Sequence, residues 1–181
     1  MSLCRLGVQN ICLIGAMISA TALFAQPIDK PIEQPDNVKV SLIQKFSSFI
    51  EWPKALEAQF ALCVVADHPL LPSLKTYYEK EPIAERPVTI QTIRRPNALA
   101  GCNVIFIAQK DMDDLARYRA AAVKNNVLLI AEGVNAARYG VHIAFYVEAG
   151  RVQRPRVNRK ALEAAGLKAS FRLLHEAEIV E

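Results

Sequence analysis

The chain has 181 residues, 52% of them hydrophobic and 22% charged, with a formal net charge of +4. That length provides one domain with a substantial core, and the positive excess is too mild to mark a nucleic-acid-binding protein.

Residues 1–25, MSLCRLGVQNICLIGAMISATALFA, place a single charge, Arg5, before an almost uncharged apolar stretch from Ile11 to Phe24, with small residues and Gln26-Pro27 after it. A basic head, a short apolar middle and a small-residue exit form the pattern of a cleaved secretory signal peptide. The apolar stretch is shorter than the roughly 20 residues a bilayer crossing needs. Ala25 is the preferred last residue of the signal, with Ala20-Thr21-Ala22 as another small-x-small site, and Cys12 lies too early to be a lipoprotein cysteine. Residues 26–36, QPIDKPIEQPD, carry a proline every fourth position and read as an extended leader. Residues 37–181 then form a single domain.

Asp36 or Asn37 can cap a helix whose apolar residues Val38, Leu42, Ile43, Phe46, Phe49 and Ile50 share a face, with Lys39, Gln44, Lys45 and Ser48 opposite. The helix is expected to end at Glu51-Trp52-Pro53, because proline pushes the preceding residue out of the helical region. Phe60–Ala66 reads as a buried strand, Leu70–Lys80 as a helix, Val88–Ile93 as a half-exposed strand and Asn103–Ala108 as another buried strand. Asp111–Lys124 is predicted to be a helix, with Asp111, Asp113 and Asp114 in its first turn, where the macrodipole favours them. Val127–Ala131 is the next strand, Asn135–Tyr139 a helical turn and Val141–Val147 a strand. A hairpin turn at Glu148–Arg151 leads into a strand from Val152 to Val157. Two helices close the chain, from Asn158 to Ala165 and from Ser170 to about Val180. Buried strands alternating with helices predict a layered α/β sandwich: a largely parallel central sheet of five to six strands, antiparallel at one edge, with helices on both faces.

Few reactive groups converge in the sequence. Gly101 and Gly133 stand alone, so no phosphate-cradling glycine loop is formed, and neither a G-x-S-x-G elbow nor an H-E-x-x-H motif occurs. His68, His142 and His175 are scattered, and none lies at ligand-like spacing from a cysteine. No cofactor and no metal site are expected. With Cys4 and Cys12 lost in the signal, Cys63 and Cys102 remain. In an oxidising compartment they read as a disulfide that would stabilise the fold by roughly 4 kcal/mol, the alternative being two buried free thiols. In RVQRPRVNRK, residues 151–160, Arg154 and Arg156 fall on one face of a strand. That stripe is either a solvated edge that resists aggregation or a contact for an acidic partner. Trp52 is either a core plug or an interface anchor.

The stretches VKVSLIQKFSSFIEWP, FALCVVADHPL, ERPVTIQTI, GCNVIFIAQ, VLLIAEG and YGVHIAFYVEAGRVQRPRVNRKALEAAGLKAS, followed by FRLLHEAEIV, resemble in order and spacing the YfiR family. The resemblance covers nearly all of the chain after the signal. It implies a periplasmic, non-catalytic repressor that binds the periplasmic sensing domain of an inner-membrane diguanylate cyclase of the YfiN type, lowering cyclic-di-GMP and biofilm formation. An outer-membrane lipoprotein of the YfiB type would sequester it, a homodimer is left open, and no nucleic acid is involved. The family's redox-sensitive cysteine pair carries over to Cys63 and Cys102. Its second pair has no counterpart here, and Tyr139-Gly140 stands where family members tend to carry two glycines. On this reading Trp52, Arg154, Arg156 and Asn158 are the partner-binding candidates. The competing reading is a periplasmic small-ligand-binding or sensory domain with its pocket at the carboxyl ends of the strands.

Overall fold

In the computed structural model, which describes residues 35–149 and 151–181, the apolar runs FALCVV, VIFI and LLIAE lie side by side as parallel strands. The signal peptide over residues 1–25 and the leader up to residue 34 lie outside the described residues. In chain order the elements are α1 (Pro35–Ser48), β1 (Ile50–Glu51), β2 (Phe60–Val65), α2 (Leu71–Tyr78), β3 (Val88–Ile93), β4 (Val104–Ile107), α3 (Leu115–Asn125) and β5 (Leu128–Glu132). There follow β6 (Ile143–Phe145), β7 (Val147–Glu148), β8 (Arg151–Val152), β9 (Arg156–Asn158), α4 (Arg159–Ala164), β10 (Lys168–Ala169), α5 (Phe171–Glu176) and β11 (Glu178–Val180). Short 3-10 turns occupy Pro96–Leu99, Gln109–Asp114 and Ala136–Tyr139.

The main sheet has seven strands in the order β11-β9-β6-β5-β4-β2-β3. Strands β6, β5, β4, β2 and β3 are mutually parallel; β9 runs antiparallel to β6, and β11 lies parallel to β9 at the edge. This is the layered, largely parallel α/β sheet with an antiparallel margin that the sequence predicts, with one strand more than expected. The extra strand is β11, read from sequence as the end of the last helix. That helix stops at Glu176, and Glu178–Val180 pair with Arg156–Asn158. The Arg156 Nε donates to the Glu178 carboxylate at 3.1 Å, within the first pair of this register.

Successive side chains of a strand point to opposite faces, so the apolar runs feed two separate core layers. On one face Leu62, Val64, Phe106, Ile130 and Phe145 pack under Ile43 and Phe46 of α1 and Leu74 of α2. On the other, Ile105, Ile107 and Leu129 pack under Tyr118 and Ala122 of α3. The edge strand β3 carries half-buried and exposed residues, with Ile93 buried, and covers less. Cys63 of β2 and Cys102, just before β4, face the α3 layer and are joined as a disulfide with 5.9 Å between their Cα atoms.

Other elements also differ from expectation. The first helix ends at Ser48 rather than at Trp52, because Ile50–Glu51 pair antiparallel with Lys168–Ala169 and the Phe49 carbonyl accepts from the Ser170 N–H at 2.9 Å. The acidic run at 111–114 forms a 3-10 turn ahead of α3 instead of its first α-turn. The strands expected over Val141–Val147 and Val152–Val157 are each divided. Their hairpin ends, β7 and β8, pair with one another outside the main sheet, and Pro155, which has no N–H to donate, separates β8 from β9. Replacing both bridging cysteines (Cys63→Ala with Cys102→Ala) is expected to lower the unfolding free energy by about 2–4 kcal/mol while leaving the fold intact. Urea titrations of the oxidised protein and the double variant measure the difference, and coincident curves would show that the bridge contributes nothing.

Candidate functional site

Helix α1 crosses one face of the sheet from end to end. Lys39 in its early turns reaches Glu132 at the carboxyl end of β5, and after its last turn the chain reaches Trp52, which packs against Phe60 at the start of β2. The Trp52 ring meets Phe60 edge-on, with centroids 5.8 Å apart. It is half-buried, and its indole Nε1–H is buried without a hydrogen-bond partner among the described residues. Pro53 beside it is exposed. Together with Asn103, Asn125 and Asn126 they line a groove of about 390 Å³ at the amino ends of the strands.

The β1–β10 ribbon connects this corner to α5. In α5 the buried residues are Leu173 and, at its cap, Ala177. Phe171 is two positions from Leu173, roughly 200° around the helix, and stands 83% exposed. Its neighbour Arg172 lays its guanidinium 5.1 Å from the centre of the Phe49 ring, an exposed cation–π contact. Lys45 of α1 pairs with Glu176 at 2.6 Å and ties the two helices together. Phe49, Arg172 and the exposed Phe171 lie where the end of α1 meets the start of α5, and the Trp52-Pro53 corner follows β1. An exposed phenylalanine next to an arginine stacked on a second ring offers the aromatic and arginine side chains that anchor interfaces.

The other predicted partner-binding residues are engaged within the chain. Arg154 donates to the carbonyls of Glu176 and His175 at 3.3 and 3.4 Å, at the end of α5 remote from Phe171. Arg156 lies on β9, an interior strand, and donates to Glu178 and to the Val134 carbonyl. Asn158 is buried and caps α4: its Oδ1 accepts from the Ala161 N–H at 2.8 Å and its Nδ2 donates to the Ala137 carbonyl at 2.9 Å. These three side chains hold β9, α4 and α5 in place. Phe171 and Phe49 escape a reading based on composition, yet the spacing of Leu173 and Ala177 already turns Phe171 outward.

Two buried histidines have depressed basicity. His142 accepts at Nδ1 from the Leu129 N–H at 3.1 Å; burial, and then the positive charge of Arg119, lower its pKa to about 3. His68, 3% exposed, accepts at Nδ1 from the Leu70 N–H at 3.1 Å; burial first, then the ammonium groups of Lys110 and Lys39, lower its pKa to about 4. Gly140, at φ +89°, explains why Tyr139-Gly140 suffices in this turn: a Cβ there would lie 2.4 Å from the Arg119 Nε. Among the described residues no cluster of three or more His, Cys, Asp or Glu side chains could hold a metal ion, and no helix is long and apolar enough to cross a membrane.

The fold and the exposed Phe171 define a layered α/β domain with a candidate binding surface. The chain belongs to the YfiR/HmsC-like family, whose model matches residues 36–178. Membership in that family points to a periplasmic regulator of cyclic-di-GMP signalling. No curated protein matches the chain. Two solved structures share the fold. One is an ABC domain in complex with L-Trp from Streptococcus pneumonia, at 11% identity and a TM-score of 0.55, covering 81% of this chain and 60% of that one. The other is a conserved domain protein from Vibrio cholerae O1 biovar El Tor, at 13% identity and a TM-score of 0.56, covering 83% of this chain and 60% of that one. At such identities the likeness is one of fold, and this chain spans less than two thirds of either neighbour.

Both buried rings are neutral in the native state, whereas in the unfolded chain a histidine titrates near 6.5. Between pH 6.5 and 5 the unfolded state therefore binds more protons, and stability falls as the pH is lowered, by up to about 1.4 kcal/mol per histidine per pH unit. Urea midpoints measured at pH 7, 6 and 5 should fall in that order, and a flat profile would contradict the assignment.

Proposed function

We propose that this protein binds the periplasmic sensing domain of an inner-membrane diguanylate cyclase of the YfiN type and holds it inactive, restraining cyclic-di-GMP synthesis and biofilm formation. An outer-membrane lipoprotein of the YfiB type would relieve that restraint by sequestering it, and export through residues 1–25 would deliver it to the periplasm. The family match over residues 36–178 supports the regulatory class. The observation that carries the binding reading is Phe171, a large apolar side chain 83% exposed beside the Phe49–Arg172 stack.

Interfaces concentrate their energy in a few aromatic and arginine anchors. Trp52, Phe49 and Arg172 are of that kind; Arg172 follows Phe171 in the chain and stacks on Phe49, with Lys45 and Glu176 pinning α1 to α5. Arg154, Arg156 and Asn158 enter this proposal as supports that position α5 and the strand behind it.

Because Phe171 contributes little to the core, Phe171→Ala should leave stability within about 0.5 kcal/mol. The same change should weaken binding to the purified sensing domain by about tenfold or more. Isothermal titration of the wild type and the variant against that domain tests this, with the unfolding midpoint as control. Unchanged affinity would move the interface elsewhere. In cells that retain the cyclase, deletion of the protein should raise cyclic-di-GMP, and restoring the Phe171→Ala variant should fail to lower it fully.

A further inference from the structure

At the end of the sheet opposite the Trp52 corner, the chain reverses its direction of travel across the strands. From β2 it moves outward to the edge strand β3, then returns to β4 on the other side of β2. The region outside the carboxyl ends of β2 and β4 is thus the topological switch point, the place where open parallel sheets receive ligands. His68 lies there, three residues beyond β2, with its ring centroid 5.0 Å from that of Phe106 on β4. Its Nδ1 accepts the Leu70 N–H, so the proton of the neutral imidazole resides on Nε2. That N–H is buried and has no hydrogen-bond partner among the described residues.

The charges that act on it are two ammonium groups, one of them paired with a carboxylate. Lys110, in the turn after β4, donates to the Asp67 carbonyl at 3.1 Å, which leaves two of its three ammonium protons for other acceptors. Lys39 approaches from α1, paired at 2.9 Å with Glu132 at the end of β5. Both ammonium groups lie close enough to His68 to disfavour its protonation. A buried donor without an acceptor is unfavourable by about 1–3 kcal/mol, and here it stands beside two cations, one of them already neutralised. The surroundings thus supply hydrogen-bond donors and positive potential and lack one acceptor.

We propose that the switch-point region is a site for a small carboxylate ligand, whose oxygens would accept from the His68 Nε2–H and from Lys110, with the Lys39–Glu132 pair holding α1 over it. The carboxylate class follows from the donor set: a neutral imidazole N–H and an ammonium group match an anionic, planar acceptor with two oxygens. The site is separate from the Phe171 surface, and the proposal stands whether or not that surface binds a sensing domain.

The test is ring-nitrogen NMR on the full chain labelled with 15N-histidine at pH 7, titrated with succinate against a sodium chloride control of equal ionic strength. A saturable shift of the His68 Nε2 resonance with succinate alone is the expected result, while the His142 and His175 signals stay unmoved. Lys110→Ala, a change at an exposed side chain, should weaken the apparent affinity about tenfold, and His68→Phe should abolish saturable binding measured by calorimetry. A resonance unmoved by succinate, the signature of an enclosed water as the only acceptor, would overturn the proposal. So would an equal shift with chloride, or a Lys110→Ala variant that binds as tightly as the wild type.

Discussion

Because β2, β4 and β5 carry buried apolar side chains on both faces, their sheet is stable only with a layer on each side, and the remaining elements are arranged by that demand. Helices α1 and α2 close one face and α3 with the Pro96–Leu99 turn closes the other. Helix α1 has to run the length of the strands to do this, so a single covering element links the two ends of the sheet. Lys39 sits by the carboxyl ends and Trp52, past the helix terminus, by the amino ends. The proposed carboxylate site and the Trp52 corner thus lie toward opposite ends of one covering element.

The aromatic surface owes its shape to a pairing that joins distant segments. Two residues of β1 and two of β10 hold the end of α1 against the start of α5, and the Phe49 carbonyl takes the Ser170 N–H that would otherwise be unsatisfied. With the backbones so fixed, Arg172 falls over Phe49 and Phe171 projects into solvent. The three polar residues Arg154, Arg156 and Asn158 belong to the same construction from behind, satisfying carbonyls at the end of α5, near Val134 and at Ala137. The basic run is thus an exposed stripe, as its sequence suggests, whose Arg154 and Arg156 also hold elements together.

What could be read from the sequence follows from how local each feature is. The interior strands were legible because a strand buried on both sides is a continuous apolar run, as in FALCVV and VIFI. Strand β11 was not, since three residues after a short amphipathic helix carry no period of their own and their partner lies 22 positions earlier. The β1–β10 ribbon, two residues on each side, is equally silent. Trp52 was visible as an unusual residue, whereas His68, Lys39, Lys110 and Glu132 come from four separate segments that only the topology assembles. Phe171 lies between these cases: the Leu173 and Ala177 spacing contained its orientation.

The disulfide staples strands and not helices. Cys63 in β2 and Cys102 ahead of β4 are joined within the sheet, so neither covering helix is held covalently, and α1 is held by side-chain packing, by the Tyr78 hydroxyl donating to the Val40 carbonyl at 3.0 Å, and by two ion pairs with Glu132 and Glu176. Sub-global opening can therefore release a covering helix while the bridged strands stay together. Backbone amides of α1 should then trade deuterium sooner than those of β2 and β4, so the helix that spans both candidate sites is more readily loosened than the strands beneath it.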